Sequence, residues 1–389
     1  MKVALSVIGK FHTFDLAREL QQRGMLAGIF SGYPRFKLKG ENLPDELIHC
    51  FPWLHGPYMA FSKKDKLGQT VVRHWEYLSR ITLDRHVARH LPECDVFVGL
   101  SSSGLQTGRR AKARGARYVC DRGSTHIRVQ DQLMREEHER WGLPYTPIDP
   151  RVVALEEAEY AEADAITIPS GFNLRSFVQQ GVPQAKLKVI PYGVNLSRFQ
   201  PTGQPEPGRF DVIFVGGASL RKGVPDLIAA YRQVQHPHKS LTFVGAFPAE
   251  FVEQLRRMGL GSDEFKLQGH VAQEQLKDIM SRAHAMVLPS IEEGLAMVQA
   301  QAMACACPVV ATVNTGCENL FTDGQEGFIV PIRSPQTLAE KLQYLADHPQ
   351  ERNAMAQSAL QRVKQAGGWT QYGDQAASFY ASLAGGARA

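Results

Sequence analysis

The sequence predicts an α/β fold, with two doubly wound parallel-sheet domains facing a cleft. Three observations carry this prediction. Short apolar, strand-like runs alternate with helical stretches through almost the whole chain, which is the pattern of parallel sheets covered by helices on both faces. The chain has 389 residues, more than one hydrophobic core ordinarily organises. A stretch rich in proline and glycine, QPTGQPEPGRF at 200–210, separates one run of alternation from the next.

In the first run, residues 3–8 read as a buried strand. The loop Gly9-Lys10-Phe11-His12-Thr13 follows, then a helix over 14–23 stopped by Gly24. Residues 26–30 form the next strand, and residues 34–69 read as irregular, rich in proline, lysine and aromatic residues. A helix is expected over 70–91 and a strand over 95–100, ending in Ser101-Ser102-Ser103-Gly104. A helix over 106–114 and a strand over 116–120 lead to the loop Asp121-Arg122-Gly123-Ser124-Thr125-His126. A helix over 150–163 then precedes a strand over 165–168. The second run places strands at 211–215, 241–244, 265–267, 285–288, 309–311 and 327–330, with helices between them. Open α/β sheets bind ligands at the carboxyl ends of their strands. The site is therefore expected among loops 9–13, 101–104, 121–126, 216–223, 245–248, 269–271, 290–297 and 313–318.

Composition excludes several classes. With 43% hydrophobic and 21% charged residues the chain reads as globular. No run of 18 apolar residues is present, so no membrane span is expected. The opening MKVALSVIGKFH has too short an apolar run, and no small-residue cleavage site, for a signal peptide. Cys50, Cys94, Cys120, Cys305, Cys307 and Cys317 form no C-x-x-C pair and are expected to be buried reduced thiols of a cytoplasmic protein. Net charge is +5, and residues 35–140 hold 19 Lys and Arg against 13 Asp and Glu. That bias suits phosphate or an anionic membrane surface and is too diffuse for nucleic acid. Neither G-x-G-x-x-G nor G-x-x-x-x-G-K-[ST] occurs, which argues against an NAD enzyme and a P-loop NTPase.

Six segments, in order, carry a family resemblance: ADAITIPSGFNLRSF (163–177), KVIPYGVNLSRF (188–199), FVGGASLRKG (214–223), LQGHVAQEQLKDIMSRAHAMVLPS (267–290), NTGCENLFTDGQEGFIV (314–330) and WTQYGDQAASFYASL (369–383). Together with EEGLAMVQAQAMACACPVVAT at 292–312, they resemble the retaining glycosyltransferases of family 4. The resemblance implies the GT-B fold, two Rossmann-like domains across a cleft. An acceptor-binding domain would cover 1–195, joined by the last helix at 369–389, and a sugar-nucleotide-binding domain would cover 196–368.

The resemblance also implies roles, and elementary chemistry supports them. A diphosphate needs cations and backbone N–H groups at a helix start. Gly216, Arg221 and Lys222 are expected to supply them, with Arg221 taking over from an arginine the family has at the position of Gly217. Glu293 is expected to accept hydrogen bonds from hydroxyls of the transferred sugar. Gly294, Leu295, Ala296 and Met297 would bring N–H groups near sugar and phosphate, and Ser290 and Glu292 read as ordinary loop residues. Gln301 stands where the family has a second acid that holds the ribose. A neutral amide bond contributes about 0.5–1.5 kcal/mol against about 1.5–3 for a charged one, so the grip weakens without being lost. Val271 lies where base readout is expected, and Gly9 where backbone approaches the diphosphate. His126 is expected to hydrogen-bond a sugar hydroxyl as the second catalytic residue; His12 is a weaker candidate.

No metal or other cofactor is expected, since Glu162-Ala163-Asp164 reads as a solvated helix end. The donor would be a UDP- or GDP-sugar, and the acceptor a saccharide or lipid-linked saccharide of the cell surface. Location would be cytoplasmic, with peripheral contact to the inner membrane face through FPWLHGPYMAF (51–61) beside Lys63, Lys64 and Lys66. A nucleotide-sugar epimerase of the same fold and a non-catalytic sugar-nucleotide-binding subunit are the alternatives.

Overall fold

The computed structural model describes residues 1–61, 67–261 and 264–385. The first lobe opens with strand β1 (Val3–Val7), helix α1 (Thr13–Gln22) and strand β2 (Leu26–Ser31). Strand β3 (Ile48–Cys50), helix α2 (His55–Ala60) and helix α3 (Gln69–His90) follow. Strand β4 (Val96–Leu100), helix α4 (Leu105–Ala113), strand β5 (Arg117–Asp121) and helix α5 (Ile127–Arg140) come next. Helix α6 (Pro150–Glu162), strand β6 (Ala165–Ile168), helix α7 (Gly171–Gln179) and strand β7 (Leu187–Val189) complete the first sheet.

The second lobe starts with strand β8 (Phe210–Val215), helix α8 (Val224–Gln233), strand β9 (Lys239–Val244) and helix α9 (Ala249–Arg257). Strand β10 (Phe265–Gly269), helix α10 (Gln273–Arg282), strand β11 (Ala285–Leu288) and helix α11 (Met297–Ala304) continue it. Strands β12 (Val309–Thr312) and β13 (Gly327–Val330) precede helices α12 (Pro335–Asp347), α13 (Pro349–Gln365) and α14 (Gly368–Gly385).

Both sheets are parallel throughout. The first has seven strands in the order β3-β2-β1-β4-β5-β6-β7, and the second has six in the order β10-β9-β8-β11-β12-β13. Strand order reverses between β1 and β4 in one sheet and between β8 and β11 in the other. At those points the loops leave on opposite sides and open a crevice. Strands buried on both faces need continuous apolar runs, which is why FDVIFV at β8 and AMVL at β11 were easy to read. The second sheet has its own core around Phe210, Phe214, Phe243, Leu288 and Val310. The first sheet has one core on each face.

Two crossings tie the lobes. Tyr372, Ala376 and Tyr380 of α14 enter the core of the first lobe, so the chain's last helix returns across the hinge. That return needs close approach: a Cβ on Gly373 would lie 2.6 Å from Glu19 Cβ, and one on Gly193 would lie 2.5 Å from the Gly368 carbonyl carbon. In the other direction Met134 and Trp141 of the α5 region pack against the second lobe's core. Arg140 on α5 bonds Asp226 at 2.6 and 2.8 Å, and Arg333 bonds Glu137 at 2.8 Å and Glu136 at 3.0 Å.

The structure departs from the sequence reading in several places, among them helices α12 and α13 after β13. Residues 34–69, expected to be irregular, contain β3 and α2. Helix α5 lies where no element was expected, because IRVQDQLMREEHER is too polar to show a clear apolar stripe. Helix α7 and the edge strand β7 were also unassigned, β7 being only three residues long.

Candidate active site

The loops after β8 and β11 lie side by side because those strands are neighbours in the sheet. Gly223 ends the first loop in the left-handed region at φ 64°, just ahead of α8. A Cβ there would lie 1.9 Å from the Pro289 carbonyl oxygen, so only glycine lets the two loops meet. Ile291 N–H donates to the Arg221 carbonyl at 2.8 Å across the same junction. Gly216 takes the turn out of β8 at φ 148°, and its carbonyl lies 2.3 Å from where a Cβ on Gly245 would stand. Gly217 is exposed, with open space around its Cβ position.

This packing delivers Arg221 and Lys222 to the acidic tip. Glu293 is 7% exposed, and its backbone N–H donates to the Asn314 carbonyl at 3.0 Å. One carboxylate oxygen lies 3.3 Å from Arg221 Nη2, and the other pairs with Lys222 Nζ. Beyond the tip, the amides of Gly294, Leu295 and Met297 donate to no group among the described residues, while Ala296 N–H reaches the Thr315 carbonyl at 3.3 Å. Two cations, a carboxylate and free N–H groups at the start of α11 thus share one spot, as a diphosphate joined to a polyhydroxyl sugar requires.

Glu292, expected to be an ordinary loop residue, is fully buried and joins the lobes. It accepts from Ser124 Oγ at 2.5 Å, Thr125 Oγ1 at 2.8 Å, Thr125 N–H at 3.1 Å and Gln130 Nε2 at 3.3 Å, all in the first lobe. From the second lobe, Arg221 Nη1 lies 3.3 Å away. Burial works to raise its pKa, but Arg221 and the bonds from Ser124 and Thr125 outweigh it and hold the carboxyl below the ordinary range. Next to it, Gly294 touches the first lobe so closely that a Cβ would lie 1.9 Å from the Gly123 carbonyl oxygen. Ser170 Oγ donates to the Gly294 carbonyl at 2.7 Å. The sequence signal for Glu292 is only its place in an acidic pair, and a partner on another lobe is invisible at that level.

His126 stands at the start of α5. Its ring packs against Tyr160 and Phe177, with centroids 5.0 and 5.1 Å away, inside the first lobe. Nδ1 accepts from Arg128 N–H at 3.3 Å and caps α5, and its backbone N–H donates to Ser176 Oγ at 2.9 Å. It is 4% exposed, and burial lowers its pKa to about 4. The ring is a packed helix cap. His12 instead pairs with Asp121 at 2.6 Å at the carboxyl edge of the first sheet.

The remaining expected residues are dispersed. Gln301 is half-buried on α11, with no side-chain partner among the described residues; its neighbour Gln299 is fully buried and bonds Thr315. Val271 is half-buried beyond β10. Gly9 is buried, its carbonyl accepting from Ser31 Oγ at 2.9 Å. Leu295 and Ala296 are buried and Met297 is exposed. Glu162 pairs with Arg109 and Lys112, and Asp164 caps Tyr118 N–H at 2.8 Å. Among the described residues no group of three or more His, Cys, Asp or Glu could hold a metal ion. A cavity of about 280 Å³ lies at the hinge, lined by Tyr192, Met303, Asn319 and Gln371, away from Glu293.

Two parallel doubly wound sheets, each with one reversal of strand order, form the GT-B architecture. Residues 198–362 match the family model for glycosyl transferases group 1, and this segment belongs to that family. The chain is 28% identical over 245 residues to a glycogen synthase of Mycobacterium tuberculosis, covering 61% of this chain and 59% of that protein. It spans about three fifths of that relative's length. A D-inositol 3-phosphate glycosyltransferase of Kribbella flavida is 25% identical over 383 residues, covering 92% of this chain and 86% of that one. Among solved structures, a sucrose-phosphate synthase from Thermosynechococcus elongatus superposes with TM-score 0.73 at 20% identity, covering 98% and 99% of the two chains. HepE of Anabaena, in complex with UDP and glucose, superposes with TM-score 0.70 at 20% identity, covering 98% and 100%.

Proposed function

We propose that this protein is a glycosyltransferase that moves a sugar from a UDP- or GDP-sugar to a saccharide or lipid-linked acceptor in cell-surface glycan synthesis, with retention at the anomeric carbon. The observation that carries this reading is the meeting of Arg221, Lys222 and Glu293 beside the start of α11. The two cations pair with the carboxylate. When the donor enters, its phosphates take the cations, and Glu293 is released to accept from hydroxyls of the transferred sugar. HepE has been solved with UDP-glucose, which makes a UDP-sugar the first donor to try.

In this mechanism the protein positions the reactants and stabilises charge. Arg221, Lys222 and the free amides of Gly294, Leu295 and Met297 offset the charge that grows on the departing diphosphate, and no metal is needed. The departing phosphate takes the proton of the attacking hydroxyl, which keeps attack and departure on one face of the sugar. Gln301 holds the ribose by a neutral bond. We place the protein in the cytoplasm, with peripheral membrane contact through the aromatic segment of α2. Trp53 is 74% exposed, Met59 49% and Phe61 38%, whereas Phe51 is stacked on His86. Lys63, Lys64 and Lys66 lie outside the described residues.

The test is nucleotide release from UDP- and GDP-sugars, with and without saccharide and lipid-linked acceptors. Release that depends on an acceptor, with the product's anomeric configuration retained, is expected. Release of free sugar or epimer without acceptor would identify an epimerase, and binding without turnover a donor-binding subunit.

A further inference from the structure

We infer that His12, oriented by Asp121, binds a hydroxyl of the acceptor saccharide through Nδ1. The identity of the occupant rests on the glycosyl-transfer reading; the geometry does not. His12 precedes α1 at the carboxyl end of β1, and Asp121 is the last residue of β5. The pair therefore bridges the edge of the sheet across β4, at the crevice.

Three supports fix the ring. Nε2 lies 2.6 Å from Asp121 Oδ2, Asp121 Oδ1 accepts from Thr167 Oγ1 at 2.8 Å, and the ring packs on Tyr192 at 4.2 Å between centroids. The Asp121 contact occupies Nε2, and among the described residues nothing bonds Nδ1. A histidine whose far nitrogen is fixed by a buried carboxylate, with its near nitrogen left unpaired, presents that nitrogen to a ligand.

The position selects the ligand. His12 Cε1 lies 3.7 Å from where a Cβ on Gly123 would stand, and the Gly123 carbonyl is the group that Gly294 packs against. The ring is thus one residue behind the contact between the first lobe and the acidic tip. The cations and the carboxylate suited to the donor's diphosphate and sugar, Arg221, Lys222 and Glu293, belong to the second lobe. What meets the first lobe's edge at this point is the other reactant, and a saccharide offers several O–H donors. The hydroxyl bonded to Nδ1 is a neighbour of the attacking one, whose proton goes to the departing phosphate. His12 thus contributes to acceptor specificity, and Asp121 is a positioning residue acting through it.

The experiment compares His12→Asn, whose amide reaches the place of Nδ1, with His12→Gln, whose amide reaches only that of Nε2. UDP affinity is measured by calorimetry, and KM and kcat with UDP-glucose and methyl glucosides as acceptors. His12→Gln should raise the acceptor KM roughly ten-fold, about the worth of one hydrogen bond, with UDP affinity unchanged. His12→Asn should stay within about three-fold, and Asp121→Asn should raise KM as His12→Gln does. Equal loss of KM and UDP affinity in both His12 variants means a purely structural ring and overturns the inference, as does an unchanged KM in His12→Gln. If the wild type turns over no sugar nucleotide, the proposed function fails by itself. The His12 inference is then decided by the imidazole ¹⁵N spectrum, where Nδ1 must shift on titration with methyl glucosides and an unmoved resonance overturns it.

Discussion

Lys222 and His126, both expected in the site, behave differently in the structure. Lys222 ends its loop against a carboxylate it can exchange for a phosphate. Lys222→Ala should weaken UDP binding by ~1.5–3 kcal/mol, the range for bonds to charged groups, and leave uridine binding unchanged. Calorimetry with both ligands decides it; equal losses would place the lysine outside the phosphate site. His126 is the opposite case. Its native pKa is about 4 against ~6.5 in an unfolded chain. The unfolded state therefore takes up a proton first as pH falls. The stability that neutral His126 provides is complete above ~6.5 and is lost between there and ~4. His126→Asn keeps a capping oxygen for Arg128 N–H. It should flatten the fall in melting temperature over that pH window and leave turnover within about three-fold, since the helix cap is kept. A large loss of turnover with intact folding would restore the catalytic role.

At the scale of elements, the site depends on loops brought into contact by glycines. Gly223 combines a left-handed backbone with 1.9 Å clearance to Pro289. Gly223→Ala adds ~1–2 kcal/mol for the conformation and ~1–3 kcal/mol for overpacking. Melting temperature should fall, and UDP affinity should fall with it, because Arg221 and Lys222 ride on this turn. Much of this level was legible: strands β6, β11 and β13 lie where the apolar runs put them, since a strand buried on both faces must be continuously apolar. Helix α5 was not legible. Its Glu136, Glu137 and Arg140 suit a solvated face as well as they suit the ion pairs with Arg333 and Asp226, and only a partner from the other lobe distinguishes the two.

For the whole molecule, closure at the acidic tip involves a small junction, beside the bonds that α5 makes with the second lobe. Glu292 gathers four first-lobe donor groups, and Gly294 packs on Gly123. Gly294→Ala should prop the lobes apart, because its Cβ has no space, while each lobe keeps its own core. Small-angle scattering should show a larger radius of gyration at nearly unchanged melting temperature. An unchanged radius would mean that the contact gives way locally and does not govern closure.

The sequence by itself determined the two parallel sheets, the break near 200–210 and the Arg-Lys and Glu-Gly motifs, because burial on both faces and phosphate chemistry each demand particular residue types at short spacing. Only the tertiary structure decided that Glu292 is a clasp between lobes, that His126 faces a core and that His12 meets Asp121. In each case the partner lies tens of residues or more away in the chain, and a polar side chain carries no mark of which distant group will satisfy it.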